Sequence, residues 1–169
     1  MVTKKDASYW IEHLKMEKHP EGGYFASAFS SDESWSKECL PSRYKGSRVL
    51  YSSIYYLLEC SEVCCLHKLA TDELWNYYAG GSLRLHLFEA NNKYSFKDMG
   101  SNIDEGQTLH FKVNRGVDFG GEVINGDYVL AGCVLSPGFS FDDHSWSDAS
   151  TLIKAFSEHK SLISRLIRA

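Results

Sequence analysis

The stretch from Cys65 to Gly81, C-L-H-K-L-A-T-D-E-L-W-N-Y-Y-A-G-G, combines the features of a binding site carried on a strand. It contains one histidine, His67, and a carboxylate, Glu73, six residues further on. Glu73, Trp75 and Tyr77 alternate along the chain, so they share one face of an extended strand. In a barrel of short strands, polar groups that point inward in this way form a site.

Patterns on both sides of this stretch predict a β-rich fold. Aromatic residues make up 14% of the chain, and thirteen glycines stand against three prolines, which favours strands joined by tight turns. The segment Arg48–Glu59 is apolar on both faces, as in a strand inside a sandwich. Gly80-Gly81 is predicted to be a turn, and Asn125-Gly126 predicts a hairpin. Helical spacing is confined to residues 7–17 and to the segment that follows Asp148.

Chain length and the spacing of these elements predict the domain organisation. The 169 residues are enough for one domain with a proper core and few for two. Roughly ten short strands at regular intervals, with helices only at the ends, indicate a sandwich or a jelly-roll barrel. We therefore predict a single domain, residues 1–169, whose barrel core covers about residues 20–146.

Charge and cysteine usage argue against several classes of function. The net charge is −4 and the chain has no basic stripe, so no nucleic-acid partner is expected. No stretch approaches the roughly 18 apolar residues that span a membrane, and the polar segment Met1–Asp6 does not indicate secretion. Five cysteines without a C-x-x-C pair favour free thiols in a reducing compartment. The predicted location is cytoplasmic.

Four further motifs follow one another along the chain. They are E-G-G-Y-F at 21–25, S-I-Y-Y-L-L at 53–58, D-E-x-W-x-x-Y-A-G at 72–80 and P-G-F-x-F at 137–141. Together they resemble a small family of the cupin superfamily known mainly as a domain of unknown function, over roughly residues 7–166. The resemblance implies an all-β fold, the double-stranded β-helix or cupin jelly-roll barrel of RmlC-like proteins. It also implies a short N-terminal helix, C-terminal helices, a pocket inside the barrel and a homodimer.

The same resemblance shows where ligands of a cupin metal site are missing. The first cupin motif, G-x5-H-x-H-x3–4-E-x6-G, is matched by His67 and Glu73, but Leu69 replaces its second histidine. The second motif, P-x-G-x-x-H, falls at Asn114–Phe119 and lacks both its proline and its histidine. His144 stands where an aromatic residue is common. Two ligands make a poor transition-metal site, so neither a metal nor another cofactor is predicted.

One hypothesis for the site is metal-free acid–base chemistry, by resemblance to RmlC-like sugar epimerases. His67 would be the base, oriented by Glu73 or by Asp143, and Tyr77 or Tyr55 would donate the proton. A carboxylate suits this role because it raises the pKa of an imidazole and selects its tautomer. The alternative for His67 is a hydrogen-bonded barrel histidine without a catalytic role. The sequence leaves open whether any reaction is catalysed.

A second hypothesis is a pocket that binds a small molecule without chemistry, as a sensor or interaction module. Aromatic walls with a carboxylate and a nearby arginine suit a polar ring, such as a sugar or nucleotide derivative. The predicted ligand-binding residues are Trp75, Tyr77, Tyr55, Arg48, Phe141 and Asp143. Core packing is the alternative for each aromatic taken singly. A metal-dependent cupin enzyme with an atypical ligand set is the third possibility.

Overall fold

A short helix begins the described part of the chain and packs on the outside of the barrel. In the computed structural model, which describes residues 5–168, helix α1 spans Ala7–His13. Asp6 caps it by accepting a hydrogen bond from the Tyr9 amide. The Trp10 indole donates a hydrogen bond of 2.9 Å to the Tyr128 hydroxyl, which ties the helix to the barrel wall. Residues 1–4 of the polar N-terminal segment lie outside the described part.

Eleven strands follow within the described residues, and nine of them form one antiparallel sheet. The strands are β1 Glu17–Lys18, β2 Tyr24–Ser30, β3 Ser34–Trp35, β4 Arg48–Val49, β5 Ser52–Glu59, β6 Val63–Leu69, β7 Glu73–Glu89, β8 Lys93–Met99, β9 His110–Val113, β10 Asp118–Leu135 and β11 His144–Trp146. The chain ends in two helices, α2 Ala149–Ala155 and α3 Lys160–Leu166. Asp148 caps α2 by accepting a hydrogen bond from the Thr151 amide.

The two longest strands, β7 and β10, build the frame of the barrel. β10 pairs antiparallel with β5, β6 and β7, and β7 also pairs with β8 and β9. At the sheet margins, β2 joins β5 and β11 joins β6. Because each long strand pairs with different neighbours along its length, the sheet wraps around itself. The predicted cupin jelly roll is confirmed, and among the described residues its α-helices lie only at the ends, with short 3-10 turns between strands.

Both predicted glycine turns are wrong, because they lie inside the long strands. β7 runs through Gly80-Gly81 and β10 runs through Asn125-Gly126, with shifts of register between them. Gly80 has a φ of 99° and Gly126 a φ of 83°. A Cβ atom on Gly81 would lie 1.7 Å from the Asn125 carbonyl oxygen. The glycines therefore allow two strands to bend and approach closely. In the sequence, glycines that serve this purpose look the same as glycines of a hairpin turn.

Two predicted elements are shorter than expected. The segment Arg48–Glu59 is interrupted at residues 50–51, and its first part, β4, pairs with β3 in a separate two-stranded sheet. The helix predicted over residues 7–17 ends at His13. Lys15 adopts a left-handed conformation with a φ of 53°, which a continuing helix excludes.

The main hydrophobic core lies inside the barrel, and two smaller clusters cover its outside. Tyr56, Trp75 and Phe119 belong to the interior cluster. Helices α2 and α3 bury Phe156 and Ile163 against the barrel wall. Residues 5–168 contain no helix that is both long and apolar enough to cross a membrane. The helices thus pack on the outer face of the barrel and do not fill its interior.

Candidate functional site

A cavity of about 650 Å³ lies within the barrel. Most of its wall is aromatic or aliphatic, and its apolar lining includes Phe25, Ile54, Tyr56, Trp75, Phe139 and Phe141. Its ionisable lining residues include His19, Glu21 and Glu73. This volume and this mixture of many apolar walls with few polar groups are typical of small-molecule sites.

Glu73 is a buried carboxyl group on the cavity wall. It begins β7, where it pairs with Val113 and Leu135 on the two neighbouring strands. The Trp75 indole donates a hydrogen bond of 2.7 Å to Glu73 Oε2. Burial raises the pKa of Glu73 from 4.5 to about 8, with a further increase from the charge of Glu21 and a smaller opposing effect of the Trp75 bond. At neutral pH this carboxyl is mostly protonated, so it offers the cavity an O–H donor.

A second polar group, the Glu21 cluster, consists of His19, Glu21, His67 and His144. The Glu21 side chain lies 3.1 Å from His144 Nε2 through its Oε1 atom. Its Oε2 atom lies 3.5 Å from His67 Nε2 and 3.7 Å from His19 Nδ1. Burial disfavours ionisation of Glu21, but the three imidazoles outweigh it and lower its pKa. The cluster therefore centres on a buried carboxylate at the cavity wall.

Two glycines bring Glu21 against the barrel. Gly22 and Gly23 have φ angles of 103° and 71°. A Cβ on Gly22 would lie 2.1 Å from the Val63 carbonyl oxygen, and one on Gly23 would lie 2.4 Å from that of Leu57. No other residue type fits both the backbone angles and the close approach. The E-G-G sequence thus presses this segment onto β5 and β6.

Backbone contacts orient His67 toward Glu21. The His67 Nδ1 atom lies 2.8 Å from the Cys65 carbonyl oxygen, and since a carbonyl only accepts, Nδ1 carries the hydrogen. The other ring nitrogen, Nε2, then faces Glu21. Burial lowers the pKa of His67, and the charge of Glu21 only partly offsets this. The ring packs on Phe119, with centroids 4.2 Å apart, and stacks on His144 at 5.3 Å.

The structure does not bring the two predicted catalytic residues together. Glu73 lines the cavity and is bonded to Trp75, whereas His67 is only 1% exposed and is not part of the cavity lining. The carboxylate beside His67 is Glu21, in place of the predicted Glu73 or Asp143. A His67–Glu73 pair acting on one ligand is therefore not assembled.

Arg48 and Asp143, both predicted to bind the ligand, bind each other instead. The Arg48 Nε atom donates to Asp143 Oδ2 at 2.6 Å, and a terminal guanidinium nitrogen donates to Oδ1 at 2.7 Å. Both side chains are buried, and neither residue belongs to the cavity lining. The pair joins β4 to the 3-10 turn Phe141–Asp143. Its geometry is that of a structural bidentate ion pair.

Two of the four aromatic residues predicted to bind the ligand line the cavity, and two do not. Trp75 and Phe141 line the cavity, and Phe141, at 66% exposure, lies where the cavity meets solvent. Tyr55 lies on the outer face in the cluster around α1, and its neighbour Tyr56 lines the cavity. Alternation along β5 makes the two face opposite ways. Tyr77 packs beside the core but outside the cavity lining, with its hydroxyl bonded to the Gly80 carbonyl.

Sequence reasoning missed the roles of Glu21, His19 and Tyr56. Glu21 begins the first of the four family motifs, but that motif does not indicate what the Glu21 side chain does. His144 was noted only as a departure from the family pattern. The sequence feature that could have indicated the position of Glu21 is a carboxylate directly before two glycines. Paired glycines allow a chain to approach another backbone closely, which would bring that carboxylate against the barrel.

The donor set of a cupin metal site does not fit these residues. The two positions that would complete the set around His67 and Glu73 are Leu69 and Phe119. Both side chains are buried in the apolar core of the barrel, and neither offers a ligand atom. No step is therefore derived through an ion at the cupin position.

The fold and its interior cavity define a cupin-type barrel protein, and the comparisons identify the family. Residues 8–147 match the family described as Cupin superfamily (DUF985), and the chain belongs to it. Protein SO0799 from Shewanella oneidensis is similar, with 32% identity, a TM-score of 0.85 and coverage of 98% of this chain and 99% of that one. A hypothetical protein from Leishmania major has 27% identity, a TM-score of 0.84 and coverage of 98% and 100%.

More distant likeness extends to a known enzyme but concerns the fold alone. Oxalate decarboxylase from Lactobacillus farciminis has 10% identity and a TM-score of 0.53, with coverage of 99% of this chain and 48% of that chain. A comparison with curated proteins found no match. Function must therefore be argued from the cavity and its residues.

Proposed function

We propose that the protein binds a small polar ring, such as a sugar or a nucleotide derivative, in the barrel cavity. The observation that carries the proposal is Glu73, a buried carboxyl with a raised pKa beside Trp75 on a mostly apolar wall. A protonated carboxyl can donate a hydrogen bond to a ligand hydroxyl or carbonyl oxygen, and aromatic faces pack on the ring. One strong donor among apolar walls favours a specific orientation of the ligand.

Charge around the cavity restricts the ligand further. Arg48 is engaged with Asp143, away from the cavity. Lys18, the one lysine of the lining among residues 5–168, is largely exposed and bonded to Glu62. Glu21 places a negative charge on the wall. A neutral ring therefore suits the interior, and any phosphate of a nucleotide derivative would have to lie toward solvent.

A thermal-shift screen of sugars, sugar nucleotides and nucleotides tests the proposal, followed by calorimetric titration of each hit. A ligand present at 100 times its Kd stabilises the folded state by about 2.7 kcal/mol. Glu73→Met removes the hydrogen-bonding group, whereas glutamine would keep an N–H donor in its place, and we expect at least about tenfold weaker binding, the equivalent of one hydrogen bond. Glu105→Gln, at an exposed position, is the matched control. Hits that bind equally well to the Glu73→Met protein would contradict the proposed site.

Acid–base turnover is a second candidate, supported by the same carboxyl. A group with a pKa of about 8 both donates and accepts a proton near neutral pH. Glu73 is thus better placed than His67 to act on a ligand in the cavity. Incubation of a bound ligand in D2O, followed by proton NMR, would reveal exchange of a C–H group. Loss of exchange in the Glu73→Gln protein supports turnover, and a ligand recovered unlabelled from the wild type favours a sensor or interaction module.

A further inference from the structure

The Glu21 cluster contains more electron-pair donors than its own hydrogen bonds can satisfy. His67 is the first case, since its Nδ1–H is committed to the Cys65 carbonyl. In the neutral ring, Nε2 is a lone pair that faces Glu21 Oε2 at 3.5 Å. Two acceptors that face each other are unfavourable unless a proton or a metal ion lies between them. An N–H···O hydrogen bond would be shorter, at 2.7–3.2 Å.

His144 is the second case. Its side chain is 5% exposed, and its Nε2 atom is buried without a hydrogen-bond partner among the described residues. That atom lies 3.1 Å from Glu21 Oε1, at an angle outside normal hydrogen-bond geometry, although this short contact helps to lower the pKa of Glu21. A buried, unpartnered ring nitrogen aimed at a carboxylate is costly unless something binds it. This observation is independent of the His67 tautomer.

Cys64 completes the group, and its thiol faces the same Glu21 oxygen as His67. Its buried sulfur lies 3.9 Å from Glu21 Oε2. Donor atoms of Glu21, Cys64 and His67 all lie within 4.8 Å of one another. The cluster thus combines imidazole nitrogen, carboxylate oxygen and a thiol, a set that suits zinc and neighbouring transition metals.

We propose that Glu21, His67 and His144 bind a divalent transition-metal ion of the zinc class, with Cys64 as the fourth donor. In a tetrahedral zinc site, nitrogen and oxygen ligands lie about 3.3 Å apart, and a thiolate lies about 3.6 Å from them. Glu21 Oε2 lies 3.5 Å from His67 Nε2 and 3.9 Å from the Cys64 sulfur, close to these edges. His144 Nε2 lies 3.1 Å from the other oxygen, Oε1, so the two carboxylate oxygens together reach all three donors.

This site differs from the metal position of the cupin motifs. It uses His67 from the first motif, but its other ligands come from the E-G-G segment, from β11 and from the start of β6. The Cys65 carbonyl holds the His67 ring through Nδ1, which is how second-shell partners orient metal-bound histidines. Because Glu21 also lines the cavity, the ion would adjoin the space proposed for the organic ligand.

Metal binding by the full-length chain tests the proposal. The protein is purified without chelators and without a polyhistidine tag, and its metal content is measured by mass spectrometry. Chelator-treated protein is then titrated with Zn²⁺ by calorimetry and with Co²⁺ by absorption spectroscopy. We expect one ion per chain, the intense visible bands of tetrahedral Co²⁺, and a sulfur-to-cobalt charge-transfer band in the near ultraviolet.

Variants assign the ligands. Glu21→Gln and His144→Gln are each expected to weaken Zn²⁺ binding by at least about 100-fold, since loss of a direct ligand exceeds the 10- to 100-fold effect of second-shell changes. Cys64→Ser should remove the charge-transfer band. His110→Gln, which removes an exposed histidine from β9, is the control for adventitious binding and should leave the Kd unchanged.

Two results would overturn the proposal. One is the absence of stoichiometric binding and of a tetrahedral Co²⁺ spectrum in the wild type, which means that the cluster holds only a shared proton. The other is an unchanged Kd in both ligand variants when circular dichroism shows that they are folded. The wild-type spectrum decides the question even if a variant does not fold. Glu73→Gln should bind Zn²⁺ normally, so failure of this proposal and failure of the proposed function are distinguishable.

Discussion

Glu73 makes the stability of the protein depend on pH in a way that a single substitution removes. The pKa of Glu73 is about 8 in the folded state, against 4.5 for an ordinary glutamate. Between these values the folded state holds a proton that the unfolded state has released. The contribution to stability is therefore fully present below pH 4.5 and is lost as the pH rises through 8. The slope is about 1.4 kcal/mol per pH unit, and the total is roughly 5 kcal/mol.

The Glu73→Gln variant isolates this contribution. Glutamine keeps an oxygen that accepts the Trp75 indole hydrogen bond, but it does not titrate. Urea unfolding at pH 5, 6, 7 and 8 should show the wild type losing about 1.4 kcal/mol per unit relative to the variant. The difference between the two proteins is needed because burial also lowers the pKa values of His19 and His67, and those groups make stability rise with pH.

The control and the refuting result are both specific. Glu105→Gln removes one carboxylate from an exposed position and should give a curve parallel to that of the wild type. If the Glu73→Gln curve is also parallel to the wild type from pH 5 to pH 8, then Glu73 does not retain its proton on folding. The donor role proposed for Glu73 in the cavity would then be wrong.

Three further predictions concern packing, ion pairing and the role of His67. Arg48→Met should reduce the free energy of unfolding by about 3–5 kcal/mol, because it leaves the Asp143 carboxylate buried without its partner. Asp142→Asn, at the exposed neighbouring carboxylate, should change the free energy of unfolding little. Equal effects of the two substitutions in denaturant titrations would contradict the structural role of the Arg48–Asp143 pair. Gly81→Ala should destabilise the fold by at least about 2 kcal/mol, because its Cβ would overlap the backbone of β10; a normal thermal midpoint would refute this account. His67→Gln should alter the affinity of a cavity ligand less than Glu73→Met does, because His67 lies behind Glu21. The reverse order in calorimetry would support the predicted catalytic role of His67.

Local patterns predicted a sandwich or a jelly-roll barrel, the family resemblance selected the cupin jelly roll, and alternation predicted one side of the cavity. Alternation places Glu73 and Trp75 on the same face of a strand whatever the rest of the chain does, and both line the cavity. Alternation could not choose between Tyr55 and Tyr56, because that strand is apolar on both faces. The Asn125-Gly126 pattern indicates a positive φ angle, which Gly126 has. A bent strand can need such an angle as much as a hairpin does. Homodimerisation and a cytoplasmic location stay predictions.

The sequence by itself determined the jelly roll, its terminal helices and the carboxyl at the start of β7, because periodicity and motif order are properties of contiguous residues. Only the tertiary structure decided which charged groups meet. Arg48 and Asp143 are 95 positions apart in the chain, and the Glu21 cluster draws on three separate segments. Such pairings depend on how strands are ordered across the barrel. The sequence therefore predicted an incomplete cupin metal set, and the folded chain placed other donors beside the one histidine that remained.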